Sequence, residues 1–404
     1  MNEPLIEAKH GKPCLSGRQA RILVAPLDWG LGHATRCIPI IWELLSQGCE
    51  VWLAGEGVQE HLLKEEFPQL SFLQLEGYRI RYSRSAVGLV LSIFRQTHKI
   101  ITAIKKENAW LKKMIAEHDF DAVISDNRFG LYHETIPCIF ITHQLAIKSP
   151  LGKWSEKILQ KRNYRFINRF AACWVPDLPC PAYRTGRLPD RQATGQAGEE
   201  NKNNLAGELS HPEKKPNIPV KYIGLLSRFD SSSPPVGGDG GKNHLLFILS
   251  GPEPQRSILE NKIVKEISHY NGTATIVRGI PGSPSLIPST NMIRFYNHLP
   301  ADELKNEILK AEYIISRCGY STIMDLVSLQ KKSILIPTPG QTEQEYLSKY
   351  LSQKQIVFCI SQKEFSLSDS LAKTKQFTYH FPGVSNGRIL QQTISNFISS
   401  LPKK

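Results

Sequence analysis

The sequence predicts an α/β protein of two doubly wound, Rossmann-like domains facing each other across a cleft. Short apolar runs alternate with helix-like periods, the pattern of a parallel sheet with crossover helices. A polar stretch rich in Gly, Asn and Lys, "TGRLPDRQATGQAGEENKNNLAGELSHPEKKPN", divides that alternation in two. The 404 residues suffice for two domains at ~100–200 residues each. With 41% hydrophobic and 22% charged residues, the chain has the composition to fill two cores.

In chain order, "RILVAP" (21–26), "EVWLAG" (50–55), "DAVISD" (121–126) and "CIFITH" (138–143) read as buried strands. His33 to Gln47 and about Ser92 to Glu117 read as helices between them. "ACWVPD" (172–177) ends the first alternation. The second starts at "VKYIGLLSRF" (220–229) and, after a Ser/Pro/Gly spacer, resumes at "NHLLFILSG" (243–251). It continues through "TATIVRG" (273–279), "NMIRFY" (291–296), "AEYIIS" (311–316), "KSILIP" (332–337) and "QIVFCI" (355–360). Helices are expected near 254–268, 300–310, 320–329, 342–353 and 387–399. The expected organisation is a tail (1–20), a first domain (21–178), a polar linker (179–219), a second domain (220–385) and a C-terminal helix (386–404).

Charge and cysteines bound the function. The formal net charge of +13 draws the protein to an anionic partner. Residues 148–169 carry Lys148, Lys153, Lys157, Lys161, Arg162, Arg165 and Arg169 against Glu156 alone. Residues 95–113 are similarly basic, beside an apolar turn of Leu89, Val90, Leu91, Ile93 and Phe94. Such a turn either meets an anionic bilayer or starts a core-facing helix. Nucleic acid is the weaker partner, since no RNA-recognition motif, zinc-finger spacing or aromatic–basic interleaving occurs. The N-terminus lacks a secretory apolar run, and eight scattered cysteines without a CxxC pair read as reduced thiols. A cytoplasmic location is expected, with a peripheral seat on the inner face of the membrane as its extension.

Two stretches carry chemistry. In "VAPLDWGLGHATR" (24–36) a strand hands over to a helix through Gly30, Gly32 and His33. The glycines allow close backbone approach, and a helix N-terminus favours anions. His33 there is placed to take a proton from an acceptor hydroxyl, although ordinary turn chemistry also explains the pattern. In "IISRCGYSTIMDLVSLQKKSILIPTPGQTEQEYLSKYL" (314–351), a strand ends in an Arg317-Cys318-Gly319 turn. Ser321 and Thr322 can cap the following helix. Asp325 either completes a capping box or accepts two bonds from ribose hydroxyls. A second strand then ends in a proline turn carrying Gln344 and Glu345.

Together "GLGHATR" and "SRCGYSTIMDL…LIPTPGQTEQEYLSKYL" resemble the GT-B glycosyltransferases, family 28 most closely, over about 21–351. The resemblance implies a metal-independent transferase that needs no cofactor. It moves a hexose or N-acetylhexosamine from a nucleotide-diphosphate sugar, UDP-linked, to a hydroxyl acceptor. In the best-known member of the family the acceptor is lipid-linked. It further implies His33 as base, with Gly30, Gly32, His143 and Gln144 on the acceptor side. On the donor side it implies Asp325 on the ribose and Gln344 with Glu345 on the sugar. Arg228 and the Gly319, Tyr320, Ser321 and Thr322 turn fall on the diphosphate, and Phe295 and Tyr296 on the uracil.

Two departures from that family pattern stand out. The phosphate loop reads "SGPEPQR" (250–256), where Pro252 and Pro254 remove backbone donors and Glu253 adds a negative charge. Arg256 is the residue expected to compensate. Glu345 stands where the family has glutamine. The competing readings are a UDP-sugar 2-epimerase of the same fold and a non-catalytic anion- or nucleic-acid-binding protein.

Overall fold

The structure is a computed structural model that describes residues 18–78, 86–149, 152–179, 204–229, 243–383 and 387–402, with backbone alone over 86–98. Among these residues the strands form two parallel sheets of seven and six. The first contains β1 (Arg21–Pro26), β2 (Glu50–Gly55), β3 (Ser71–Gln74), β4 (Ala122–Asp126), β5 (Cys138–Ile141), β6 (Ala172–Val175) and β7 (Val220–Tyr222). Its order is β3-β2-β1-β4-β5-β6-β7. Helices α1 (Leu31–Ser46), α2 (Val58–Glu66), α3 (Ala86–His118) and α4 (Lys153–Ile167) belong to this lobe.

The second sheet contains β8 (His244–Ile248), β9 (Thr273–Val277), β10 (Ile293–Tyr296), β11 (Tyr313–Arg317), β12 (Ser333–Ile336) and β13 (Phe358–Cys359). Its order is β10-β9-β8-β11-β12-β13. Helices α5 (Gln255–Ile267), α6 (Ala301–Lys310), α7 (Tyr320–Ser328), α8 (Thr342–Gln353) and α9 (Leu367–Lys375) accompany it, and α10 (Arg388–Ser399) ends the chain. Both sheets are doubly wound, as expected. The order reverses between β1 and β4 and again between β8 and β11, so each sheet opens a crevice at the carboxyl ends of its strands.

The strands form where apolar residues run unbroken, because both faces are covered: Ile22–Ala25, Ala122–Ile124 and Ile334–Ile336 are fully buried. Several boundaries differ from the sequence reading. Val220 and Tyr222 pair with Cys173 and Val175, so β7 completes the first sheet and the second lobe begins after it. The polar linker is not wholly solvated either. Leu205, Ala206 and Leu209 are buried, and the buried Asp177 carboxylate accepts the Leu205 and Ala206 N–H groups and the Ser210 hydroxyl. Residues 180–203 lie outside the described residues. Helix α10 returns to the first lobe, where Phe397 packs edge-on to Trp174 at 5.4 Å. The apolar turn at 89–94 falls where side chains are not described. Among the described residues no helix is long and apolar enough to cross a membrane.

Candidate active site at the junction of the two lobes

The N-terminus of α1 meets the N-terminus of α7, which brings the two chemistry-bearing stretches together. Gly30 begins α1 with φ +82, a conformation costly to any residue with a side chain. Gly32 is where the opposite lobe meets α1. A Cβ there would lie 3.1 Å from Ser321 Oγ, and that hydroxyl donates to the Gly32 carbonyl at 2.7 Å. Its missing Cβ therefore admits Ser321 of the opposite lobe. Ser321 does not cap α7, which starts from Gly319 without a side-chain cap. Thr322 sits half-buried on the same first turn.

His33 is mostly buried, and its Nδ1 lies 3.0 Å from Asp126 Oδ2 at the carboxyl end of β4. Arg36, one turn along α1, bonds Asp126 through Nε at 2.8 Å and again through Nη2. Burial opposes ionisation of Asp126, but Arg36 and His33 outweigh it and hold its carboxyl below the ordinary range. Burial, joined by Arg36, pushes the His33 imidazole below its ordinary value, against the pull of Asp126. The imidazole is thus neutral at neutral pH. Nδ1 faces Arg36 Nη2 at 2.7 Å, which can only donate, as well as Asp126 Oδ2. In the tautomer whose Nδ1–H goes to the carboxylate, Nε2 keeps a lone pair, the arrangement of a general base with its orienting acid. The loop after β4 is fixed by Arg128, which donates to the Pro26 carbonyl and to the buried Glu107, both at 2.8 Å.

The network crosses to the second lobe. Arg36 Nη1 lies 3.1 Å from His143 Nδ1, and His143 Nε2 lies 2.6 Å from Glu343 Oε1 on α8. Gln144 donates to the other oxygen of Glu343. His143 also stacks on the Tyr320 ring, centroids 4.2 Å apart and planes 9° apart. The Tyr320 hydroxyl is spent on the Pro176 carbonyl at 2.9 Å, so its side chain seals the junction. His33, His143, Gln144, Tyr320 and Ser321 therefore converge at the junction of the lobes. Asp126, Arg36 and Glu343 complete the constellation and were missed. The one signal for Asp126 was a carboxylate closing an otherwise apolar strand at its carboxyl end.

The remaining residues gather deeper or further along. Asp325 is 4% exposed, and the capping-box option falls. Its carboxylate accepts from Ser227 Oγ at 2.9 Å, Arg228 N at 3.2 Å and Arg228 Nε at 3.2 Å. Burial pushes its pKa up despite Arg228 and Ser227. Acid and arginine, 97 residues apart in sequence, are thus one unit. Arg228 borders a small cavity with His298, just beyond Phe295 and Tyr296 at the end of β10. Gln344 and Glu345 turn back on their own loop: Gln344 Oε1 accepts the Thr338 N–H at 2.8 Å, and Glu345 Oε1 the Gly340 N–H at 2.9 Å. Arg256 does not compensate for the proline loop, because Glu253 (2.6 Å) and Glu260 (3.1 Å) engage it. Glu253 in turn folds onto Arg256 and Ser257.

Comparison with known proteins agrees with this architecture. Residues 294–379 match the glycosyltransferase family 28 C-terminal domain. No curated protein matches the chain. A glycotransferase of kitacinnamycin shares 14% identity at a TM-score of 0.58, covering 95% of this chain and 100% of its own. SsfS6 of Streptomyces sp. SF2575, solved with thymidine diphosphate, shares 12% at 0.55, covering 95% and 97%. SnogD of Streptomyces nogalater shares 12% at 0.53, covering 95% and 99%. All three are glycosyltransferases, and the shared architecture is the GT-B fold.

Proposed function

We propose that this GT-B glycosyltransferase, family 28-like in its C-terminal lobe, transfers a hexose or N-acetylhexosamine from a UDP-linked donor to a hydroxyl acceptor in the cleft. The observation that carries the reading is the His33–Asp126 pair at 3.0 Å, set at the seam where α7 bonds Gly32. A neutral imidazole oriented by an ionised carboxylate is what deprotonating a sugar or lipid hydroxyl requires. The donor lies over the second lobe, its ribose on Asp325 and its diphosphate by Arg228 and the 319–322 turn. Taking up the ribose means exchanging the Ser227 and Arg228 bonds to Asp325 for ribose hydroxyls. Gln344 and Glu345, which now hold the 338–341 loop, address the donor sugar from that loop, and Phe295 with Tyr296 border the base.

The reading extends to a lipid-linked acceptor at an anionic membrane. Helix α4 supports it: Trp154 is 73% exposed and Ile158 is exposed, amid solvent-facing Lys153, Lys157, Lys161, Arg162 and Arg165. A surface indole within a cationic ring suits the headgroup region. The test is a thermal-shift panel of UDP-, GDP- and dTDP-sugars on wild type and Asp325→Ala. The reading expects a UDP-sugar shift that the variant loses. Equal shifts in both proteins remove Asp325 from the ribose. Flotation with phosphatidylglycerol vesicles, lost in Trp154→Glu, tests the membrane extension.

A further inference from the structure

We propose that Arg317, at the carboxyl end of β11, is the electrostatic anchor for a diphosphate seated at the 250–255 loop. The inference rests on the donor reading above and names the cation that stands in for the backbone donors Pro252 and Pro254 lack.

Five arginines are buried among the described residues, and four have a carboxylate: Arg36 with Asp126, Arg128 with Glu107, Arg256 with Glu253 and Glu260, and Arg278 with Glu260. Arg317, 1% exposed, has none among the described residues. Its Nη2 donates to the Gln255 carbonyl in the first turn of α5 at 2.6 Å, while Nε and Nη1 meet no acceptor. Burial lowers its pKa to about 10, which leaves the guanidinium charged at neutral pH. A charge kept from water without a counter-ion is costly, and such groups concentrate where a ligand supplies the opposite charge.

Its surroundings are those of a ligand site. β11 is the neighbour of β8 at the point where the strand order reverses, the standard position for a ligand crevice. The loop leaving β8 is "SGPEP", whose two prolines offer no N–H to phosphate. Gly251 stands there at φ +103, and a Cβ on it would lie 3.9 Å from Thr338 Oγ1. Thr338 Oγ1 and Gln362 Oε1 are also buried without partners, and Gln362 Nε2 bonds Gln255 Oε1 at 3.2 Å. Unspent polar atoms from the ends of β11 and β12 and the segment after β13 thus gather around the start of α5. Beneath a loop short of backbone donors, a fixed cation in low-dielectric surroundings supplies the attraction instead.

The test titrates full-length wild type, Arg317→Met and Arg317→Lys with inorganic pyrophosphate, UDP, dTDP and uridine. Arg317→Met should weaken pyrophosphate and both nucleoside diphosphates by about tenfold or more, the scale of a charge-assisted contact. Uridine affinity should not change. The melting temperature of the ligand-free Met variant should be unchanged or higher, because an uncompensated charge has gone. Arg317→Lys should stay within a few-fold of wild type for pyrophosphate. Diphosphate affinity that survives Arg317→Met, or uridine affinity that falls equally, overturns the proposal. If the Met variant does not fold, a tenfold loss of pyrophosphate in Arg317→Lys overturns it. Wild type that binds pyrophosphate through Arg317 but no nucleotide keeps the anchor and removes the nucleotide-sugar reading. Wild type that binds neither removes both.

Discussion

Asp126→Asn changes one atom and leaves the shape of the site intact. The carboxylate is fully buried and carries two bonds from Arg36 and one to His33. Asparagine keeps the volume but strands a buried guanidinium, and breaking a buried pair from one side costs about 3–5 kcal/mol. At about 2–4 °C per kcal/mol for a lobe of ~200 residues, the first melting transition should fall by about 10 °C. Removing both charges is expected to cost much less, since apolar replacement of a buried pair is often near neutral. Arg36→Met/Asp126→Leu should therefore melt above Asp126→Asn, although neither variant should transfer sugar. The pH dependence has a definite sign. Because the folded pKa of Asp126 lies below its ordinary 3.8, its stabilisation is complete above that value and lost as pH falls through the folded one. The gap between wild type and Asp126→Asn should hold at pH 5–8 and narrow only in stronger acid. Scanning circular dichroism from pH 3 to 8 measures it. A single variant that melts within about 2 °C of wild type at pH 7 refutes the buried pair.

Other expectations follow from the same geometry. His33→Ala should leave donor affinity unchanged and lower turnover by ~10²-fold or more. Because burial lowers the His33 pKa, wild-type kcat/KM should be flat above pH 6.5 and decline only below it; a decline beginning at higher pH contradicts a neutral base. Gly30→Ala meets open space but a φ of +82, so it should cost about 1 kcal/mol with no change in lobe contact. Gly32→Ala should instead loosen the lobes through Ser321, and Ser321→Ala should restore its melting temperature. Glu343→Ala should widen the molecule in small-angle scattering by releasing His143 and Gln144.

The sequence disclosed those parts of the fold that depend on local pattern. Buried parallel strands such as β1, β4 and β12 hold the unbroken apolar runs Ile22–Ala25, Ala122–Ile124 and Ile334–Ile336, so they were legible, as was the Gly30–His33 turn. Helix α4 was read only as a basic run, because its few apolar residues are mixed with lysine and arginine. β7 looked like the start of the second domain because nothing in "VKY" says which sheet it will pair with. The site was half legible for the same reason. His33 and Ser321 announce themselves beside glycines, but Asp126 and Glu343 matter only through partners 93 and 200 residues away. Arg256 and Arg317 show the converse. Both are arginines near the same loop, and which one is committed to a carboxylate depends on three-dimensional neighbours alone.

The most direct measurement of sugar transfer is phosphorus NMR of UDP-N-acetylglucosamine and UDP-glucose with the protein, with and without a total lipid extract as acceptor. Wild type should release UDP, faster with the extract, and His33→Ala should do so about 100-fold more slowly. Intact donor in every sample, or a free 2-epimer of the sugar nucleotide without transfer, would contradict it.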